Sequence, residues 1–249
     1  KKMRKIFIIT ERRADYSRFQ PILDLIKDDP NLDYDLVVTG LHLKEEHGMT
    51  INEIINDGFE IFSTFEMFLE EEDTGASMVR SYAKAVEMVT FELEKSKPDL
   101  ILSGFDIAAN AAVTIAGAHM NIPVAHIQGG EVTGTIDESI RHATTKLAHA
   151  HFVSNLKAKN ILKRMGEIKE NIYIIGSPEV DIMIGNNLPS QIKVKKRYNI
   201  KYDKYAIFLF HPVTTLNKED IENQCRILLK VLTLSMKNFV VILPNNVTF

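Results

Sequence analysis

The sequence contains one cysteine, Cys225, and no tryptophan. A single cysteine excludes a disulfide framework within the chain and a zinc site built from cysteines. Because Cys225 lies in an amphipathic helical stretch, we expect a buried structural thiol. No apolar run approaches the ~20 residues that a membrane helix needs. The basic start KKMRKIFIIT passes directly into charged residues without a small-residue cleavage site, so we expect no signal peptide, no membrane contact and a cytoplasmic location.

A strong excess of either charge is also absent. Thirty lysines and arginines face 33 aspartates and glutamates, which gives a net charge of −3. No basic field therefore favours nucleic acid as a partner. G-x-G-x-x-G and Walker motifs are missing, which argues against an ordinary NAD or P-loop site, and the spacing of the eight histidines matches no zinc helix. We therefore predict no cofactor and no metal.

The chain does show a regular alternation of short apolar runs and longer amphipathic stretches. Near-continuous apolar strands separated by helices are typical of a parallel sheet that is covered on both faces. With right-handed crossovers, this pattern predicts a doubly wound, Rossmann-like domain. Strands are predicted at 5–10, 34–40, 60–65, 99–104, 123–127, 150–154 and 172–177, and helices around 17–28, 50–57, 76–96, 107–120, 137–149 and 155–165.

A second strand–helix–strand pattern follows a polar stretch. We interpret residues 1–183 as the first domain, 184–203 as a linker and 204–249 as the beginning of a second Rossmann-like domain. One βαβ unit buries too little apolar surface to stand alone, so we expect this second domain to be incomplete in the chain. The predicted fold class is α/β with two Rossmann-like domains. The second pattern has strands at 205–212 and 238–245 and a helix near 217–234.

Polar or glycine-rich sequence follows six of the predicted strands. In open parallel sheets, ligands bind beyond the carboxyl ends of the strands. We therefore expect functional residues in the segments that follow these strands. Six such segments at one edge of the sheets are stronger evidence for a site than any single motif. The segments are 10–16, 39–42, 103–106, 128–131, 176–178 and 211–215.

The densest of these segments is HIQGGEVTGTIDESIRH, residues 126–142. Its glycine pair, 129–130, allows a sharp turn and a close approach to a ligand. One interpretation is a capped helix with two intrahelical ion pairs at i,i+4 spacing, Asp137 with Arg141 and Glu138 with His142. The alternative, which we favour for Asp137, is a functional carboxylate where the loop meets the helix.

Other strand ends carry candidates of the same kind. Asp106 either caps the helix that follows it or forms an acid–base pair with a carboxylate of the neighbouring loop. His42 and His211 both end strands, which makes them candidates for contacting a substrate. Arg12 and Arg13 follow the first strand and could reach a phosphate or a sugar, or one of them is a surface charge.

These segments resemble the hydrolysing UDP-N-acetylglucosamine 2-epimerase family, including its bacterial sialic-acid and legionaminic-acid branches and the epimerase half of the animal bifunctional enzyme. The resemblance covers essentially the whole chain in order, and the long acidic segment is its most specific part. The matching motifs are RADYS (13–17), VTGLHL (38–43), HIQGGEVTGTIDESIRHATTKLAHAHF (126–152), IIGSP (174–178) and FHPVTT (210–215).

The resemblance implies two Rossmann-like domains of the GT-B type, a nucleotide-sugar substrate between them and a homodimer or homotetramer. It also implies the reaction: loss of the nucleoside diphosphate and of the C2 proton gives a glycal, and water then adds to give the free 2-epimer. The substrate is UDP-N-acetylglucosamine, which yields N-acetylmannosamine, or a 2,4-diacetamido-2,4,6-trideoxy analogue. The implied catalytic residues are Asp106, Glu131, Asp137 and His211, and the implied substrate-binding residues are Arg13, His42, Gln128, Gly129, Gly130, Arg141, His142, Ser177 and Thr214.

The sequence departs from the family pattern at three places. Family members commonly carry Gly-Asp-Arg where this chain has Phe-Asp-Ile, residues 105–107. Many have a catalytic glutamate where Gln128 stands, so either Glu131 takes over an acid–base task or Gln128 only orients the substrate. Leu216 stands where a glutamate is common. Two other functions remain open: a GT-B glycosyltransferase, and a nucleotide-sugar binder without catalysis.

Overall fold

The apolar run KIFIIT forms the central strand of a parallel sheet. Strand β1 (Arg4–Thr10) pairs with β2 (Leu32–Thr39) on one side and with β4 (Leu100–Gly104) on the other. Successive side chains of a strand point to opposite faces. Phe7 therefore enters the apolar cluster on one face and Ile8 the cluster on the other, and both are fully buried.

The computed structural model describes residues 3–68, 74–185, 188–213, 216–235 and 237–242. The chain divides into two compact units, Lys1–Glu70 with Ala76–Ile184, and Glu71–Gly75 with Gly185–Phe249. The remaining elements of the first unit are β3 (Ser63–Phe65), β5 (Val124–Ile127), β6 (Ala150–Val153), β7 (Ile172–Ile174), α1 (Arg13–Asp28), α2 (Ile51–Asn56), α3 (Gly75–Ser96), α4 (Ala108–His119), α5 (Ile136–Leu147), α6 (Leu156–Arg164) and α7 (Pro178–Ile184).

The strand order of the sheet is β3-β2-β1-β4-β5-β6-β7, and all neighbours are parallel. The order reverses between β1 and β4, which is the topological switch point where doubly wound sheets bind ligands. One apolar cluster includes side chains of α1 and α2, and the other includes side chains of α3 and α4. The predicted α/β fold with a parallel sheet is thus confirmed, and the loops after β1, β4 and β5 share one edge.

Two strands of the first unit are half as long as the sequence predicted. The run 60–65 pairs only over β3, and the run 172–177 only over β7. At the second strand, the Ile175 N–H still donates to the Val153 carbonyl at 2.9 Å. The next residue, Gly176, has φ +81°, a left-handed conformation that turns the chain out of the strand direction.

The second unit contains a parallel strand pair, as its pattern predicted. Strand β8 (Ala206–Leu209) leads through α9 (Lys218–Leu234) to β9 (Phe239–Ile242). The segment 184–203, interpreted as a linker, contains a helix, α8 (Gln191–Arg197), whose cap Ser190 accepts the Lys193 N–H. Cys225 on α9 is half-buried rather than buried. Across the described ranges, no helix is long and apolar enough to cross a bilayer.

The glycine pair after β5 allows α5 and α6 to pack closely against this turn. Both residues are buried. A Cβ on Gly129 would lie 2.8 Å from the Thr145 hydroxyl oxygen, and one on Gly130 would lie 2.6 Å from the carbonyl oxygen of Ala158 on α6. Gly130 also has φ +84°. The turn therefore needs glycine for backbone conformation and for contact with α5 and α6.

Gly130→Ala should destabilise the protein more than Gly134→Ala. Both glycines have positive φ, but only Gly130 has backbone atoms in the space that a Cβ would fill. The left-handed alanine costs about 1–2 kcal/mol at each position, and overpacking adds about 1–3 kcal/mol at Gly130 alone. Urea unfolding of both variants checks this. Equal losses in the free energy of unfolding would contradict the packing role of Gly130.

Candidate active site

Arg141 joins the loops that follow β4 and β5. Its side chain is only 4% exposed, and its Nη2 forms an ion pair with Oδ2 of Asp106, which is 29% exposed. Its Nη1 donates to the carbonyl oxygen of Glu131 at 2.8 Å. The carboxylate of Glu131 in turn accepts a hydrogen bond from the Ser154 hydroxyl at 2.7 Å. Three of the predicted site residues are therefore brought together at the carboxyl edge of the sheet.

Asp106 does not cap the helix that follows it, so that alternative was wrong. The residue at the cap position of α4 is Ile107, which forms no side-chain cap. The carboxylate that reaches this helix end comes from the loop after β1: Oε2 of Glu11 accepts the Ala109 N–H at 3.0 Å. Asp106 is left to pair with Arg141, and its side chain keeps part of its surface exposed.

The helix start at α5 forms one of the two intrahelical ion pairs that the spacing allowed, Glu138 with His142. Asp137 is exposed and accepts a hydrogen bond from the Thr135 hydroxyl at 3.1 Å. The Asp137–Arg141 pair of that interpretation does not form, because Arg141 pairs with Asp106. Glu138 accepts the N–H groups of Gly134 and Thr133, which lower the pKa of its carboxyl, and its Oε1 lies 3.8 Å from Nε2 of His142.

Gln128 and Ser177 form a second contact at this edge. The amide Nε2 of Gln128 donates to the Ser177 hydroxyl oxygen at 3.0 Å. Gln128 is 6% exposed and has φ +61°, and Phe105, immediately before Asp106, has φ +70°. Residues other than glycine rarely adopt this left-handed backbone conformation, and those that do cluster at functional sites. Two neighbouring strands therefore both end in a constrained residue next to the acidic groups.

His42 and Arg13 differ in their accessibility. His42 is fully buried, and its ring nitrogens lie 3.0 Å from the Thr10 hydroxyl and 2.7 Å from the Thr50 hydroxyl. Burial lowers the pKa of His42 to about 4. Because the ring is fully buried, we revise the predicted substrate contact: His42 supports the loop instead of touching a ligand. Arg13 is exposed at the first residue of α1, whereas Arg12 pairs with Glu11.

The remaining candidates lie elsewhere or are not described. His211 belongs to the second unit, where it is exposed after β8. Thr214 lies outside the described residues. His151 on β6 is buried, and its Nε2 lies 3.1 Å from Oε2 of Glu167. Within the described ranges, no group of three His, Cys, Asp or Glu side chains could hold a metal ion.

Sequence reasoning missed the carboxylates of the first loop. Glu11 and Asp15 are both fully buried, although the sequence places them at the start of a helix where acidic residues are common. The Asp15 carboxylate accepts N–H groups from Glu11, Arg12 and Tyr16 and the hydroxyl of Thr10. Burial raises the pKa of Asp15 to about 6. The sequence signals were their position after the central strand and, for Asp15, its place in the RADYS motif.

His126 supports the loop before Asp106. It is fully buried on β5, its Nδ1 lies 3.1 Å from the Thr145 hydroxyl and its Nε2 lies 3.4 Å from the carbonyl oxygen of Phe105. Because a carbonyl can only accept, the proton is on Nε2, and Nδ1 accepts from Thr145. Burial lowers the pKa of His126 to about 3. The imidazole is therefore neutral at physiological pH.

The comparisons agree with this geometry. A doubly wound parallel sheet with acidic groups, an arginine and an amide at its carboxyl edge is typical of α/β proteins whose ligands bind beyond the strand ends. The family model of UDP-N-acetylglucosamine 2-epimerase matches residues 24–248, and the chain belongs to this family. The prediction from the motifs is thus confirmed at the level of the UDP-N-acetylglucosamine 2-epimerase family.

Relatives match over most of this chain. UDP-N-acetylglucosamine 2-epimerase of Neisseria meningitidis is 35% identical over 99% of this chain and 64% of its own length. UDP-N,N'-diacetylbacillosamine 2-epimerase (hydrolyzing) of Legionella pneumophila is 36% identical over 85% and 56%. This chain therefore spans less than two thirds of either relative. A UDP-GlcNAc 2-epimerase of Methanocaldococcus jannaschii, crystallised with UDP-GlcNAc and UDP, shares the fold with a TM-score of 0.83, 20% identity and coverage of 98% and 67%.

Acidification should destabilise the protein in part through His126. Its folded pKa lies below the ordinary value of 6.5, so between pH 6.5 and 4.5 the unfolded chain binds a proton that the folded chain does not. Stability from this residue is full above pH 6.5 and falls by about 1.4 kcal/mol per pH unit below it. Urea unfolding at several pH values in this range gives the free energy of unfolding as a function of pH. The slope of that function should be smaller by this amount in His126→Asn than in the wild type.

Thr145→Val is the matched control, because it removes the hydroxyl partner of His126 and leaves the imidazole in place. It should lower the free energy of unfolding at every pH and keep the wild-type slope. Asp15 titrates in the opposite direction, but it is present in all three proteins and cancels in the comparison. The same slope in His126→Asn and wild type would refute a buried neutral imidazole.

Proposed function

We propose that the protein is a hydrolysing 2-epimerase of a nucleotide-activated N-acetylamino sugar, acting in sialic or legionaminic acid synthesis. The observation that carries this proposal is the contact of Arg141 with Asp106 and with the backbone of Glu131, which gathers acidic groups from two crossover loops. Relatives named as hydrolyzing 2-epimerases, from Legionella pneumophila and Campylobacter jejuni, support the hydrolysing type. The family's oligomer, a homodimer or homotetramer, is part of the proposal.

The reaction consists of two balanced steps. A carboxylate takes the C2 proton while the bond between C1 and the diphosphate oxygen breaks, which leaves a glycal and the nucleoside diphosphate. Water then adds across the double bond: its hydroxyl goes to C1, and a proton returns to C2 on the opposite face. The weakly acidic C2 proton needs a positioned base, and the leaving diphosphate needs positive charge or an acid.

We assign Asp106 and Asp137 as the carboxylates that move the C2 proton. Asp106 is oriented through one oxygen by Arg141 and keeps part of its side chain exposed, and Asp137 is exposed at the start of α5. Glu131, held by Ser154, serves as the second acid–base group. The amide of Gln128 cannot act as a base, so it orients the substrate. We assign His211 to the diphosphate.

The remaining residues bind or shape the site. Arg13, His142 and Thr214 contact the substrate, and Ser177 and the glycine pair shape the pocket. His42 supports the site from within. The substrate is UDP-N-acetylglucosamine or a nucleotide-linked 2,4-diacetamido-2,4,6-trideoxy sugar, since relatives are named for substrates of both kinds.

Incubation with each nucleotide sugar, followed by NMR of the products, tests the proposal. The free 2-epimer and the nucleoside diphosphate are expected, with one of the two sugars clearly preferred. Transfer of the sugar to an added acceptor would identify a GT-B glycosyltransferase instead. Binding of intact substrate without turnover would identify a binding protein.

Asp106→Asn and Asp137→Asn should each lower kcat by about 10²–10⁴, the usual contribution of a general acid or base. Asp33→Asn is the control, since Asp33 is an exposed carboxylate near the amino end of β2 and should leave kcat unchanged. Product NMR and thermal unfolding of all three variants separate lost chemistry from lost structure. Wild-type turnover in either folded site variant would refute the assignment of that carboxylate.

Glu131→Gln should reduce kcat more than Gln128→Asn. The first change removes an acid–base group, with an expected loss of about 100-fold. The second shortens an amide that donates to Ser177, and asparagine tolerates the left-handed backbone there, so we expect a loss below about 10-fold. Rates measured side by side on the preferred substrate decide this. The reverse order would place the second acid–base role at Gln128 or its surroundings.

A further inference from the structure

A buried polar network lies beneath the candidate site and connects two motifs that are far apart in the sequence. Its centre is Asp15, which is fully buried in the first turn of α1. Oδ1 accepts the Thr10 hydroxyl and the N–H groups of Arg12 and Tyr16 at 2.9 Å each. Oδ2 accepts the Glu11 N–H at 2.8 Å. The three N–H groups can only donate, which favours the ionised carboxylate in this arrangement.

His42 continues the network from the loop after β2. The Thr10 proton points to Asp15, so the Thr10 oxygen can only accept from Nε2 of His42, and Nδ1 then accepts from Thr50. The His42 backbone N–H also donates to the Glu11 carbonyl at 3.3 Å. One tautomer of a neutral imidazole satisfies every one of these bonds, which ties the loops after β1 and β2 together.

Gly40 brings this second loop against Glu11. It has φ +62°, and a Cβ there would lie 2.4 Å from Cγ of Glu11. The conformation and the space both require glycine. The side chain of Glu11 is thereby confined on one side by Gly40, while its backbone is held by Asp15 and His42.

Glu11 connects this network to α4, on the other side of the switch point between β1 and β4. Its Oε2 accepts the Ala109 N–H at 3.0 Å, and its Oε1 pairs with Arg12. Ala109 lies in the first turn of α4, three residues after Asp106. Asn110 adds a parallel link, because its Oδ1 accepts the Gly104 N–H at 3.0 Å and its Nδ2 lies 3.4 Å from Asp15.

We infer that Asp15 and His42 are positioning residues that fix Asp106 through Glu11 and the first turn of α4. They touch no reacting atom and set the distance between the loop after β1 and the loop after β4. The consequence for catalysis rests on the proposed function, whereas the mechanical coupling stands on these contacts alone. A displacement of about 1 Å at a catalytic group can reduce turnover about 100-fold.

Thr10→Val and Thr10→Ser test this with a matched pair, since valine keeps the volume and serine keeps the hydroxyl. Thr10→Val should speed amide hydrogen exchange in peptides covering 10–16 and 107–112, and lower kcat at least 10-fold with KM within about twofold. Thr10→Ser should return both exchange and kcat to near wild type. His42→Gln, which cannot reproduce both imidazole bonds, should repeat the valine result and serves if Thr10→Val fails to fold.

Asp57→Asn is the control for general loss of structure. Asp57 follows α2 and accepts the Tyr16 hydroxyl at 2.7 Å without bonding to Thr10, Glu11 or His42, so this variant should lower the melting temperature and leave kcat and exchange at 107–112 unchanged. Wild-type exchange at 107–112 in both Thr10→Val and His42→Gln would overturn the coupling. Faster exchange there with full kcat would overturn the positioning role. No turnover by the wild type would refute the proposed function, and exchange at 107–112 would still decide the coupling.

Discussion

The candidate site depends on a guanidinium that is almost completely removed from water. A buried arginine is tolerated only when its donors are paired. Arg141 meets this requirement with the carboxylate of Asp106 and the carbonyl of Glu131. These two partners lie on different crossover loops, so satisfying one cation forces the loops after β4 and β5 to meet. The acidic edge of the sheet is a consequence of that pairing.

The same edge is supported from below by groups that never reach solvent. His126 donates to the carbonyl of Phe105, and Glu11 accepts from the start of α4. Phe105 and Gln128 adopt left-handed backbone conformations, which persist only where surrounding contacts impose them. Buried polar groups with all partners satisfied make a rigid support. Here that support surrounds the peptide that carries Asp106.

Much of the fold was predictable because its signals are local. A parallel sheet covered on both faces requires near-continuous apolar strands, and strands such as β1 and β4 have them. The acidic segment 126–142 was recognisable from its composition alone. The roles within it were not: the spacing of Asp137 and Arg141 indicated an intrahelical pair, and Arg141 instead reaches a residue 35 positions away. A distant carboxylate and a carboxylate on the same helix compete for one guanidinium, and the sequence does not show which of them is closer in the folded chain.

By itself, the sequence determined the fold class, the family and the edge of the sheet where function is sought, since strand periodicity and motif order depend on residues that are close along the chain. Only the tertiary structure decided that Glu11 and Asp15 are buried, that His42 faces two hydroxyls and that Gly130 packs against α6. Burial and hydrogen-bond partners are set by which loops meet across the switch point. That meeting joins Glu11 to Ala109, 98 positions away, which is beyond the range of any local pattern.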